Sequence, residues 1–538
     1  MKTFTLEEAL FEIKEYVIKE PQCHDLIFSG LSYDSRQVKK GDLFLCKGTA
    51  FKREYLNMAK EKGALAYLSE EDYHLSLPFI QVSSVREVLA PLASFFYDHP
   101  EKEMDFIGIT GTKGKTTTVY YLFSIFQEEA LEKAGIDFPQ GGYFSAALGK
   151  NAFLSTVKNF DGKTVTASSL TTPEPLELFS FLRKAKDQGA ERVIMEVSSQ
   201  ALKYGRTKGL TFKHGAFLNI SQDHISPVEH KDFEDYFSSK KKIFCQTEKA
   251  YINIDSPYEK EILEAARAGH EIISFSTKRK AVYQGKIVRN LEDGFVLEVD
   301  ENSLKDKKLL QKEVFARDKK SAKDPSSFFL QIYSLGRFNA ENALLAYAIG
   351  REEGIAKETI QRAFNRVHVD GRMELYSSSD GLIHIIVDYA HNRLSYERVV
   401  DEAHRLYPQA KIFSVSGTVG GKAENRRRDL GEICGAKTDL LYITSDDPGR
   451  EDPLKIAQEI AEAVKSVGGS YHIEIDREKA ISLALEEAEK RARQGEMTTL
   501  LFLGKGTDAY MFLPEGRVPM KADTIMASQW IKAYDMRS

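Results

Sequence analysis

Short runs of apolar residues alternate with amphipathic stretches along most of the chain. From residue 105 onwards, strand-like runs such as DFIGITG (Asp105–Gly111), RVIMEVSS (Arg192–Ser199) and HGAFLNIS (His214–Ser221) are separated by segments with helical spacing. The alternation resumes with the helical stretch GRFNAENALLAYAIG (Gly336–Gly350), after which strand-like runs again lead into loops. Because alternating strands and helices are typical of βαβ units, the sequence predicts an α/β fold with parallel sheets.

Two changes in this pattern suggest domain boundaries. The N-terminal part mixes short strands, DLFLCKG (Asp42–Gly48) and LPFIQV (Leu77–Val82), with a helical run that proline ends (Val88–Pro100). Around residues 277–330, Lys/Asp-rich pieces surround strand-like runs, which indicates a solvated β-rich appendage. We therefore expect three domains, at residues 1–102, 103–335 and 336–538.

Composition and charge exclude several classes of function. Of the 538 residues, 42% are hydrophobic and 11% are aromatic, which is too much for a chain that is disordered over most of its length. A formal net charge of -5 excludes a broadly basic protein that charge alone holds to nucleic acid. The four cysteines are widely spaced, which predicts neither a disulfide framework nor a zinc knuckle. They are Cys23, Cys46, Cys245 and Cys434.

Two further features of the sequence, its apolar runs and its N-terminus, bear on localisation. No apolar run approaches the roughly 18 residues of a membrane span. The N-terminus has the pattern of an amphipathic helix rather than that of a signal peptide. We expect a cytoplasmic monomer whose partners are small-molecule substrates, with no nucleic-acid partner and no membrane insertion.

The strongest local signal is GITGTKGKTTT (Gly108–Thr118), which follows an apolar strand and opens a helix. Its glycines let backbone N–H groups surround phosphate oxygens, and the start of the helix adds partial positive charge. In such a loop Lys115 reaches the β and γ phosphates of a nucleotide, and the Thr116 hydroxyl binds Mg²⁺. The spacing is tighter than in the common phosphate loop, because only two residues separate Gly111 from Gly114.

This tight loop resembles that of the Mur ligases and their relatives, the folylpolyglutamate synthases and cyanophycin synthetases. These enzymes join an amino group to a carboxylate with ATP, through an acyl phosphate. Four further segments resemble the family in the same chain order. They are MEVSSQAL (Met195–Leu202), LNISQDHISPVEH (Leu218–His230), GRFNAENALLA (Gly336–Ala346) and VDYAH (Val387–His391). Folylpolyglutamate synthases usually read Asp-Gly-Ala-His in the last of these, so the chain leans to the Mur ligases.

The resemblance implies a three-domain Mur ligase architecture of the α/β class. Its N-terminal domain would bind UDP, its central domain would be a phosphate-loop ATPase, and its C-terminal domain would be Rossmann-like and bind an amino acid. The implied ATP-binding residues are Gly111, Thr112, Lys113, Gly114, Lys115, Thr116, Thr117, Asn339, Asn342, Asp388 and His391. Helix capping is the alternative role of the two asparagines.

The resemblance also implies a magnesium site. Thr116, Glu196 and His230 match metal-binding positions, and the helix DYFSSKKKIF (Asp235–Phe244) resembles the one that carries a carbamylated lysine. Aligned on its tyrosine and its apolar Ile-Phe pair, that lysine is Lys240, and a solvated basic face is the alternative. The implied catalytic residues are Lys115, Glu196, His230 and Lys240.

The N-terminal segment LSYDSRQVKKGDLFLCKGTAFKREYL (Leu31–Leu56) resembles the uridine-binding domain of the Mur branch that adds the third peptide residue. LTTPEPLELF (Leu170–Phe179) matches the Thr-Thr-Pro segment of the same substrate site. An arginine suits a diphosphate or a carboxylate, because its guanidinium donates two hydrogen bonds at once. The implied UDP-substrate-binding residues are Ser35, Thr171, Thr172, Ser198 and Arg206.

The C-terminal segments bear on which amino acid is added. SDDPGRED (Ser445–Asp452) has Gly449 where diaminopimelate-adding members typically carry an arginine that grips the second carboxylate. Acidic residues there and in GKGTDAYM (Gly504–Met511) favour a substrate with a cationic end. In KAENRRRDLGE (Lys422–Glu432) one arginine is implied for the α-carboxylate, with a solvated basic face as the alternative. The implied amino-acid-binding residues are Arg427, Asp446, Asp447 and Asp508.

Together these resemblances imply an ADP-forming ligase of peptidoglycan precursor synthesis that uses ATP and Mg²⁺. It would add L-lysine to UDP-N-acetylmuramoyl-L-alanyl-D-glutamate. Three alternatives stay open. The same ligase adds ornithine or meso-diaminopimelate instead, or the protein is a folylpolyglutamate or polyamide ligase, which should lack the Asp34-Ser35-Arg36 segment. The third is a phosphate-loop switch protein, which should carry a guanine-specifying Asn-Lys-x-Asp that this chain does not contain.

Overall fold

The computed structural model describes residues 3–537, apart from 24, 49–50, 141, 146–147, 169, 224, 227–228, 268–269, 292, 302–326 and 422–423. The chain divides into two compact units. The first comprises residues 1–220, 237–274 and 352–355, and the second comprises 221–236, 275–351 and 356–538. The Lys/Asp-rich pieces of the expected appendage lie outside the described residues. The two domain boundaries expected near residues 102 and 335 stay a prediction.

The described strands, in chain order, are β1 (Phe4–Thr5), β2 (Val17–Lys19), β3 (Ile27–Phe28), β4 (Gly30–Ser32), β5 (Asp42–Leu45), β6 (Ala66–Ser69), β7 (Phe79–Val82), β8 (Asp105–Thr110), β9 (Asn151–Leu154), β10 (Lys158–Phe160), β11 (Val165–Ala167), β12 (Arg192–Glu196), β13 (Phe212–Phe217), β14 (Thr247–Asn253), β15 (Glu271–Ser276), β16 (Tyr283–Asn290), β17 (Phe295–Glu301), β18 (Phe328–Ile332), β19 (Glu374–Ser377), β20 (Ile383–Asp388), β21 (Lys411–Ser416), β22 (Leu440–Ile443), β23 (Tyr471–Ile473), β24 (Thr498–Leu503), β25 (Tyr510–Leu513) and β26 (Gly516–Pro519).

The described α-helices are α1 (Leu6–Ile13), α2 (Arg53–Glu61), α3 (Val85–Phe96), α4 (Lys115–Ala134), α5 (Pro175–Asp187), α6 (Ser199–Lys203), α7 (Phe233–Lys241), α8 (Glu259–Ala266), α9 (Asn339–Glu352), α10 (Lys357–Arg366), α11 (Arg393–Leu406), α12 (Asn425–Lys437), α13 (Pro453–Ser466), α14 (Arg477–Ala492) and α15 (Asp523–Asp535). Short 3₁₀ helices occupy Lys14–Tyr16, Pro100–Glu103 and Lys242–Gln246. No helix of the described chain is long and apolar enough to cross a membrane.

The first unit begins with a sheet of strand order β2-β7-β6-β5-β4. Strands β4 to β7 pair in parallel, and β2 joins the edge in the antiparallel sense. Apolar side chains of α1 and α3 pack on this sheet in one buried cluster. Helix α1 starts at a capping box, in which Thr5 and Glu8 satisfy each other's backbone N–H groups. The predicted strands at 42–48 and 77–82 are confirmed as β5 and β7.

The predicted helix at 88–100 is displaced by several residues. Helix α3 begins three residues earlier, because the Ser84 hydroxyl caps it by accepting the backbone N–H of Glu87. It ends at Phe96, before Pro100, because Asp98 and His99 take the left-handed conformation. The expectation that proline ends this helix was therefore wrong. The chain has already left the helix when it reaches the proline.

The central sheet of the first unit follows the order β11-β10-β9-β12-β8-β13-β14-β15. Strands β12 and β13 flank β8 in parallel, and the parallel pairing continues to β9 on one side and β14 on the other. The predicted parallel α/β sheet is therefore confirmed. Because β8, β12 and β13 run in the same direction, the segments that follow them start at one edge of the sheet, where α/β proteins bind ligands.

The second unit contains a sheet of strand order β19-β20-β24-β21-β22-β23. Neighbouring strands from β20 through β24, β21 and β22 to β23 pair in parallel, and β19 pairs with β20 in the antiparallel sense. Apolar residues of α11, α12 and α13 cover one face, while those of α14 and α15 cover the other. This is the doubly wound arrangement expected of a Rossmann-like domain. Strands β16 to β18 pair in antiparallel order and confirm the β-rich character of the predicted appendage.

A buried ion pair lies within the second unit. The guanidinium of Arg477, at the start of α14, donates to both carboxylate oxygens of Asp523 at 2.8 and 2.6 Å. The two side chains are only 1% and 0% exposed. Arg477 also donates to the carbonyl of Leu503, the last residue of β24, at 2.9 Å. The pair thus joins the first residues of α14 and α15 to the end of β24.

Asp523→Ala should lower the free energy of unfolding by about 3–5 kcal/mol, because it leaves a buried guanidinium without its counter-charge. The matched control is Asp401→Ala, which removes the acid from the exposed Lys437–Asp401 pair at 2.7 Å. Its expected cost is at most about 1 kcal/mol. Urea unfolding followed by circular dichroism measures both. Equal losses would contradict the conclusion that burial, rather than pairing, sets the cost.

Candidate functional site

The predicted phosphate loop connects the end of β8 to the start of α4. Its glycines have positive φ angles, 152° at Gly111 and 88° at Gly114. The loop lies against the chain that leaves β13, because a Cβ atom on Gly111 would come within 2.9 Å of the Leu218 Cβ. Glycine is therefore required there by both conformation and space. The result is a strand–loop–helix turn of the kind that binds phosphate.

Asn219 holds this loop in place, a role that the local sequence pattern did not indicate. Its backbone carbonyl accepts the N–H of Thr112 at 3.0 Å. Its side-chain oxygen accepts the N–H of Lys113 at 2.9 Å, and its amide nitrogen donates to the Lys113 carbonyl at 3.1 Å. Three hydrogen bonds from one residue fix the peptide groups whose orientation a phosphate site depends on.

Two lysine side chains meet at the loop. The Lys115 ammonium donates to the Gly111 carbonyl at 2.8 Å and to the Thr112 carbonyl at 3.3 Å. Lys240, near the end of α7, is only 2% exposed, and its ammonium donates to the same Gly111 carbonyl at 2.9 Å. Of the three consecutive lysines, Lys242 is exposed. Burial at the loop therefore favours Lys240 as the residue that matches the family's modified lysine.

Glu196, the last residue of β12, is buried beside the start of α4. Its Oε1 accepts the Thr116 hydroxyl at 2.9 Å and the Thr156 N–H at 2.7 Å. Its Oε2 accepts the Thr156 hydroxyl at 3.1 Å. Carboxylate and hydroxyl oxygens are the hard ligands that Mg²⁺ prefers, so this set of donor atoms fits the cation. Sequence reasoning identified Thr116 and Glu196 but not Thr156, which lies far from both along the chain.

His230 belongs to the second unit, unlike Glu196 and Lys240. Its ring is fully buried, lies edge-on to Tyr236 at 5.3 Å, and has Nδ1 3.4 Å from an Asp235 carboxylate oxygen. In the same segment, the Asp223 carboxylate accepts hydrogen bonds from Arg426 at 2.8 Å and from Asn392 at 2.5 Å. That His230 and Glu196 share a metal ion stays a prediction.

Three of the predicted UDP-substrate residues form one network with Glu196. The Thr172 hydroxyl donates to the Glu196 carbonyl at 2.8 Å and accepts the Ser198 N–H at 3.0 Å. Arg206 donates to the Thr172 carbonyl at 3.1 Å. Thr171 joins the same region through its hydroxyl oxygen, which lies 3.1 Å from that of Thr156. The network therefore begins at the strand end that also contacts the phosphate loop.

Ser35 lies in the N-terminal part of the first unit and is buried. The preceding Asp34 carboxylate accepts two hydrogen bonds from the Arg36 side chain, at 2.9 and 2.8 Å. These bonds lower the pKa of Asp34 to about 2. Asp34 also lines a cavity of about 590 Å³, a volume typical of small-molecule sites. The role of Ser35 in uridine binding stays a prediction.

The predicted ATP-binding residues of the second unit are held by local hydrogen bonds. The Asn339 amide donates to the Ser334 hydroxyl at 3.1 Å and the Leu335 carbonyl at 2.8 Å. The Asn342 amide donates to the Asn339 side-chain oxygen at 2.9 Å. Asp388 accepts the Met373 N–H at 3.0 Å, and His391 Nδ1 lies 2.7 Å from the Tyr389 carbonyl. Their roles in ATP binding stay predictions.

Lys505 is the centre of the predicted amino-acid site in the second unit. Its ammonium lies 2.9 Å from an Asp447 carboxylate oxygen and 3.4 Å from one of Asp508. Burial alone would lower the pKa of Lys505, but these two carboxylates and that of Asp446 raise it above its ordinary value. The sequence predicted the three acids but not the lysine between them. The one signal for this lysine in the sequence is the Gly-Lys-Gly motif around residue 505.

Asp446 is almost completely buried next to this cluster, and burial raises its pKa to about 6. Its Oδ2 occupies the space where a side chain of residue 504 would begin, because a Cβ atom on Gly504 would lie 2.4 Å from it. Burial also raises the pKa of Asp508, which accepts the Tyr389 hydroxyl at 3.2 Å. The cluster is therefore a partly desolvated group of three carboxylates with the ammonium of Lys505, and the charge of Arg477 also acts on Asp446.

Arg427, predicted to bind the α-carboxylate, is 3% exposed. Its guanidinium donates to Glu459 and to Glu451, both at 2.7 Å. These glutamates raise its pKa against the opposing effect of burial. The solvated-face alternative is therefore wrong for Arg427, although it fits Arg428, which is exposed. Binding of a substrate carboxylate by Arg427 stays a prediction.

Comparison with known proteins places these motifs in one family. The family descriptions "Mur ligase middle domain" and "Mur ligase, glutamate ligase domain" match residues 109–350 and 371–506. A UDP-N-acetylmuramoyl-L-alanyl-D-glutamate--L-lysine ligase of Streptococcus sanguinis is 34% identical over 94% of this chain and 93% of its own. A UDP-N-acetylmuramyl-tripeptide synthetase of Lactococcus lactis subsp. cremoris is 35% identical over 96% of this chain and 95% of its own.

Solved structures share the fold. A UDP-N-acetylmuramoyl-L-alanyl-D-glutamate--2,6-diaminopimelate ligase matches with a TM-score of 0.61 and 21% identity, over 99% of both chains. A Mycobacterium tuberculosis folylpolyglutamate synthase in complex with ADP matches with a TM-score of 0.56 and 15% identity, over 77% of this chain and 90% of its own. The predicted α/β Mur ligase architecture is confirmed, and the chain belongs to the Mur ligase family.

Proposed function

We propose that this protein is an ATP-dependent, ADP-forming ligase that adds L-lysine to UDP-N-acetylmuramoyl-L-alanyl-D-glutamate in peptidoglycan precursor synthesis. The observation that carries the choice of lysine is the cluster of Asp446, Asp447 and Asp508 around Lys505. The relatives named as lysine ligases support the same choice. The protein would act in the cytoplasm as a monomer, on small-molecule substrates.

The first unit would bind ATP at the phosphate loop, where Lys115 and the start of α4 face the phosphates. Thr116 and Glu196 would hold Mg²⁺, together with His230 and a carbamylated Lys240. When bound, the ion would offset the charge that develops on the transferred phosphoryl group. Asn219 already holds the peptide groups of Thr112 and Lys113, so the rest of the loop would need little reorganisation when the phosphates bind.

The reaction has two steps. A carboxylate oxygen of the dipeptide attacks the γ-phosphorus of ATP, which forms an acyl phosphate and releases ADP. The α-amino nitrogen of lysine then attacks the acyl carbon, the bond to the phosphate breaks, and the nitrogen loses a proton. Thr172, Ser198 and Arg206 would position the substrate beside the nucleotide, and positioning is the main contribution a protein makes to such transfers.

Carbamylation of Lys240 fits the charges at the loop. Two ammonium groups, those of Lys115 and Lys240, donate to the one carbonyl of Gly111. Like charges this close repel each other in a partly desolvated site. A carbamate would replace the positive charge of Lys240 by a negative one and supply oxygen ligands for Mg²⁺. Lys115 would then be the only one of the two to remain a cation that faces the phosphates.

The charge of the C-terminal cluster favours a cationic substrate group. Three carboxylates surround the one ammonium of Lys505, so a second ammonium would find uncompensated negative charge there. A buried ammonium needs such a counter-charge. A second carboxylate, as in diaminopimelate, would meet like charge, and Gly449 offers no side chain to neutralise it. Arg427 would bind the α-carboxylate by exchanging one of its two glutamate partners for the substrate.

The experiment that tests the function is an amino-acid panel. ADP release is measured with UDP-N-acetylmuramoyl-L-alanyl-D-glutamate and L-lysine, L-ornithine or meso-diaminopimelate. We expect efficient use of lysine and little use of diaminopimelate. Equal kcat/KM for these two would overturn the pocket assignment and leave the ligase standing, whereas turnover without any amino-acid acceptor would overturn the ligase.

Lys115→Ala should reduce kcat for ligation at least about a hundredfold, because it removes a charge that acts on the transferred phosphoryl group. The control is Lys133→Ala, which removes an exposed lysine from the other end of the same helix. It should leave ADP release unchanged, and circular dichroism should show both variants folded. Near-normal turnover of the Lys115 variant would contradict the assignment of this loop to ATP binding.

Lys240→Ala should also lose most activity, and short carboxylic acids in the assay should restore part of it by supplying the missing oxygen ligand. Lys242→Ala, an exposed neighbour, is the matched control and should keep full activity. Mass spectrometry at raised bicarbonate should detect an added carboxyl group on the unmodified protein but not on the Lys240 variant. Full activity of Lys240→Ala would show that another residue fills this role.

Asp447→Asn and Asp508→Asn should each raise the KM for lysine about tenfold or more, because a hydrogen bond to a charged group is lost. The KM for ATP should change far less. Asp452→Asn is the control: Asp452 caps α13, and asparagine caps a helix equally well. If the two KM values rise together, the acids support the domain as a whole rather than the lysine site.

A further inference from the structure

A histidine and two carboxylates meet in the second unit, where the loop that follows α10 leads into β19. They are His368, Asp370 and Glu374, and each has one potential ligand atom within 4.8 Å of those of the other two. The His368 Nε2 lies 2.7 Å from Oε1 of Glu374 and 3.6 Å from Oδ1 of Asp370. One imidazole and two carboxylates form a donor set that suits a divalent transition-metal cation such as Zn²⁺.

The separations between these atoms fit a single metal ion. Ligand atoms that lie about 2.1 Å from a tetrahedral Zn²⁺ are about 3.4 Å apart. The two measured separations, 2.7 and 3.6 Å, lie on either side of that value. The third pair, Asp370 and Glu374, lies within 4.8 Å, so its adjustment is at most about 1.4 Å. Because the His368 side chain is 69% exposed, water can reach the fourth ligand position.

Glu374 is the least exposed of the three residues, and its surroundings favour a bound cation. Its side chain is only 7% exposed, and its Oε2 accepts the Tyr376 hydroxyl at 2.8 Å. Within the part of the chain that the structure describes, neither a lysine nor an arginine pairs with it. A buried carboxylate is costly without a compensating positive charge. A cation held between His368 and Asp370 would supply that charge.

Tyr376 orients the Glu374 carboxylate for this role. Its hydroxyl occupies Oε2, so Oε1 is left facing His368. Hydrogen bonds of this kind, made to the oxygen that the metal does not use, fix the orientation of a metal-binding carboxylate. Tyr376 would therefore support the site without contacting the ion.

The loop that carries the three residues contacts the end of β20. The Gly371 carbonyl accepts the Tyr389 N–H at 3.1 Å, and the Met373 N–H donates to Oδ2 of Asp388 at 3.0 Å. Gly371 has a φ of 66°, and a Cβ atom there would lie 2.3 Å from the Tyr389 ring. A cation that joins residues on both sides of Gly371 and Met373 would therefore stabilise the peptide groups that hold Asp388 and Tyr389.

We propose that His368, Asp370 and Glu374 bind a divalent transition-metal cation of the Zn²⁺ class, which stabilises the loop between α10 and β19. The site shares no residue with the magnesium site predicted at the phosphate loop, and its chemistry is different, because Mg²⁺ prefers ligand sets made of oxygen alone. The inference does not depend on the proposed function, since the ion takes no part in the ligase reaction.

The test measures the binding of Zn²⁺ alone to the full-length protein by calorimetry, with Mg²⁺ in excess to compete at the phosphate loop. His368→Ala should weaken binding at this site at least about tenfold, because a metal ligand is lost, and Tyr376→Phe should weaken it about tenfold although all three ligands remain. The matched control is His74→Ala, since His74 is exposed and lies 3.5 Å from a single carboxylate, that of Asp72. It should leave Zn²⁺ binding unchanged.

Thermal unfolding tests the stabilising role. Zn²⁺ should raise the Tm of the unmodified protein by a few degrees, because it binds only the folded chain, and it should not raise that of His368→Ala. Glu374→Gln provides a second ligand variant of the same size. Because these variants keep all four free cysteines, differences in binding report on this site. Zn²⁺ binding that neither His368→Ala nor Glu374→Gln weakens would overturn the site, and an equal Tm shift in His368→Ala would overturn its stabilising role.

Discussion

The close approach of the phosphate loop to the end of β13 is the constraint on which the first unit's chemistry depends. A Cβ atom at Gly111 would lie 2.9 Å from the Leu218 Cβ and 3.3 Å from the Asn219 nitrogen. Without that approach Asn219 could not reach the backbone of Thr112 and Lys113. The loop's peptide groups would then be free to turn, and the phosphate would have to order them at the expense of binding energy.

Much of the fold could be predicted from the sequence, because apolar strands that alternate with amphipathic helices have few other solutions. The phosphate loop and the motif residues were equally local signals. Contacts between residues far apart along the chain could not be predicted in this way. Thr156 reaches Glu196 across 40 residues, and Asn219 reaches Lys113 across 106. Thr156 has no motif around it, and the motif that contains Asn219 does not signal this contact, so only the folded chain brings both residues to the site. Helix α3 shows the same limit, since a serine cap sets its start and the left-handed residues Asp98 and His99, not Pro100, follow its end.

Charge is distributed locally in a way that the net charge of -5 hides. Lys47 and Arg206 share the carboxylate of Glu174, which leaves surplus positive charge there, and the cluster around Lys505 has surplus negative charge. Each contains one group of the opposite sign, which attracts the others and offsets part of their repulsion. Such a resident counter-ion reduces the repulsion that would otherwise destabilise the protein alone. The remaining charge can still attract a substrate group of the opposite sign. A residue such as Lys505 cannot be predicted from matches to known motif positions alone.

Glu196 connects the proposed nucleotide site and the proposed substrate site of the first unit through two different parts of one residue. Its carboxylate accepts hydrogen bonds from Thr116 on α4, and its backbone carbonyl accepts the Thr172 hydroxyl. Because a strand end within a parallel sheet is rigid, the separation between these partners does not depend on loop conformation. An acyl phosphate forms only if the carboxylate and the γ-phosphorus meet at close range, and small displacements lower the rate steeply. Because both sets of partners contact Glu196 at the end of β12, the distance between the two proposed sites is set before either substrate binds.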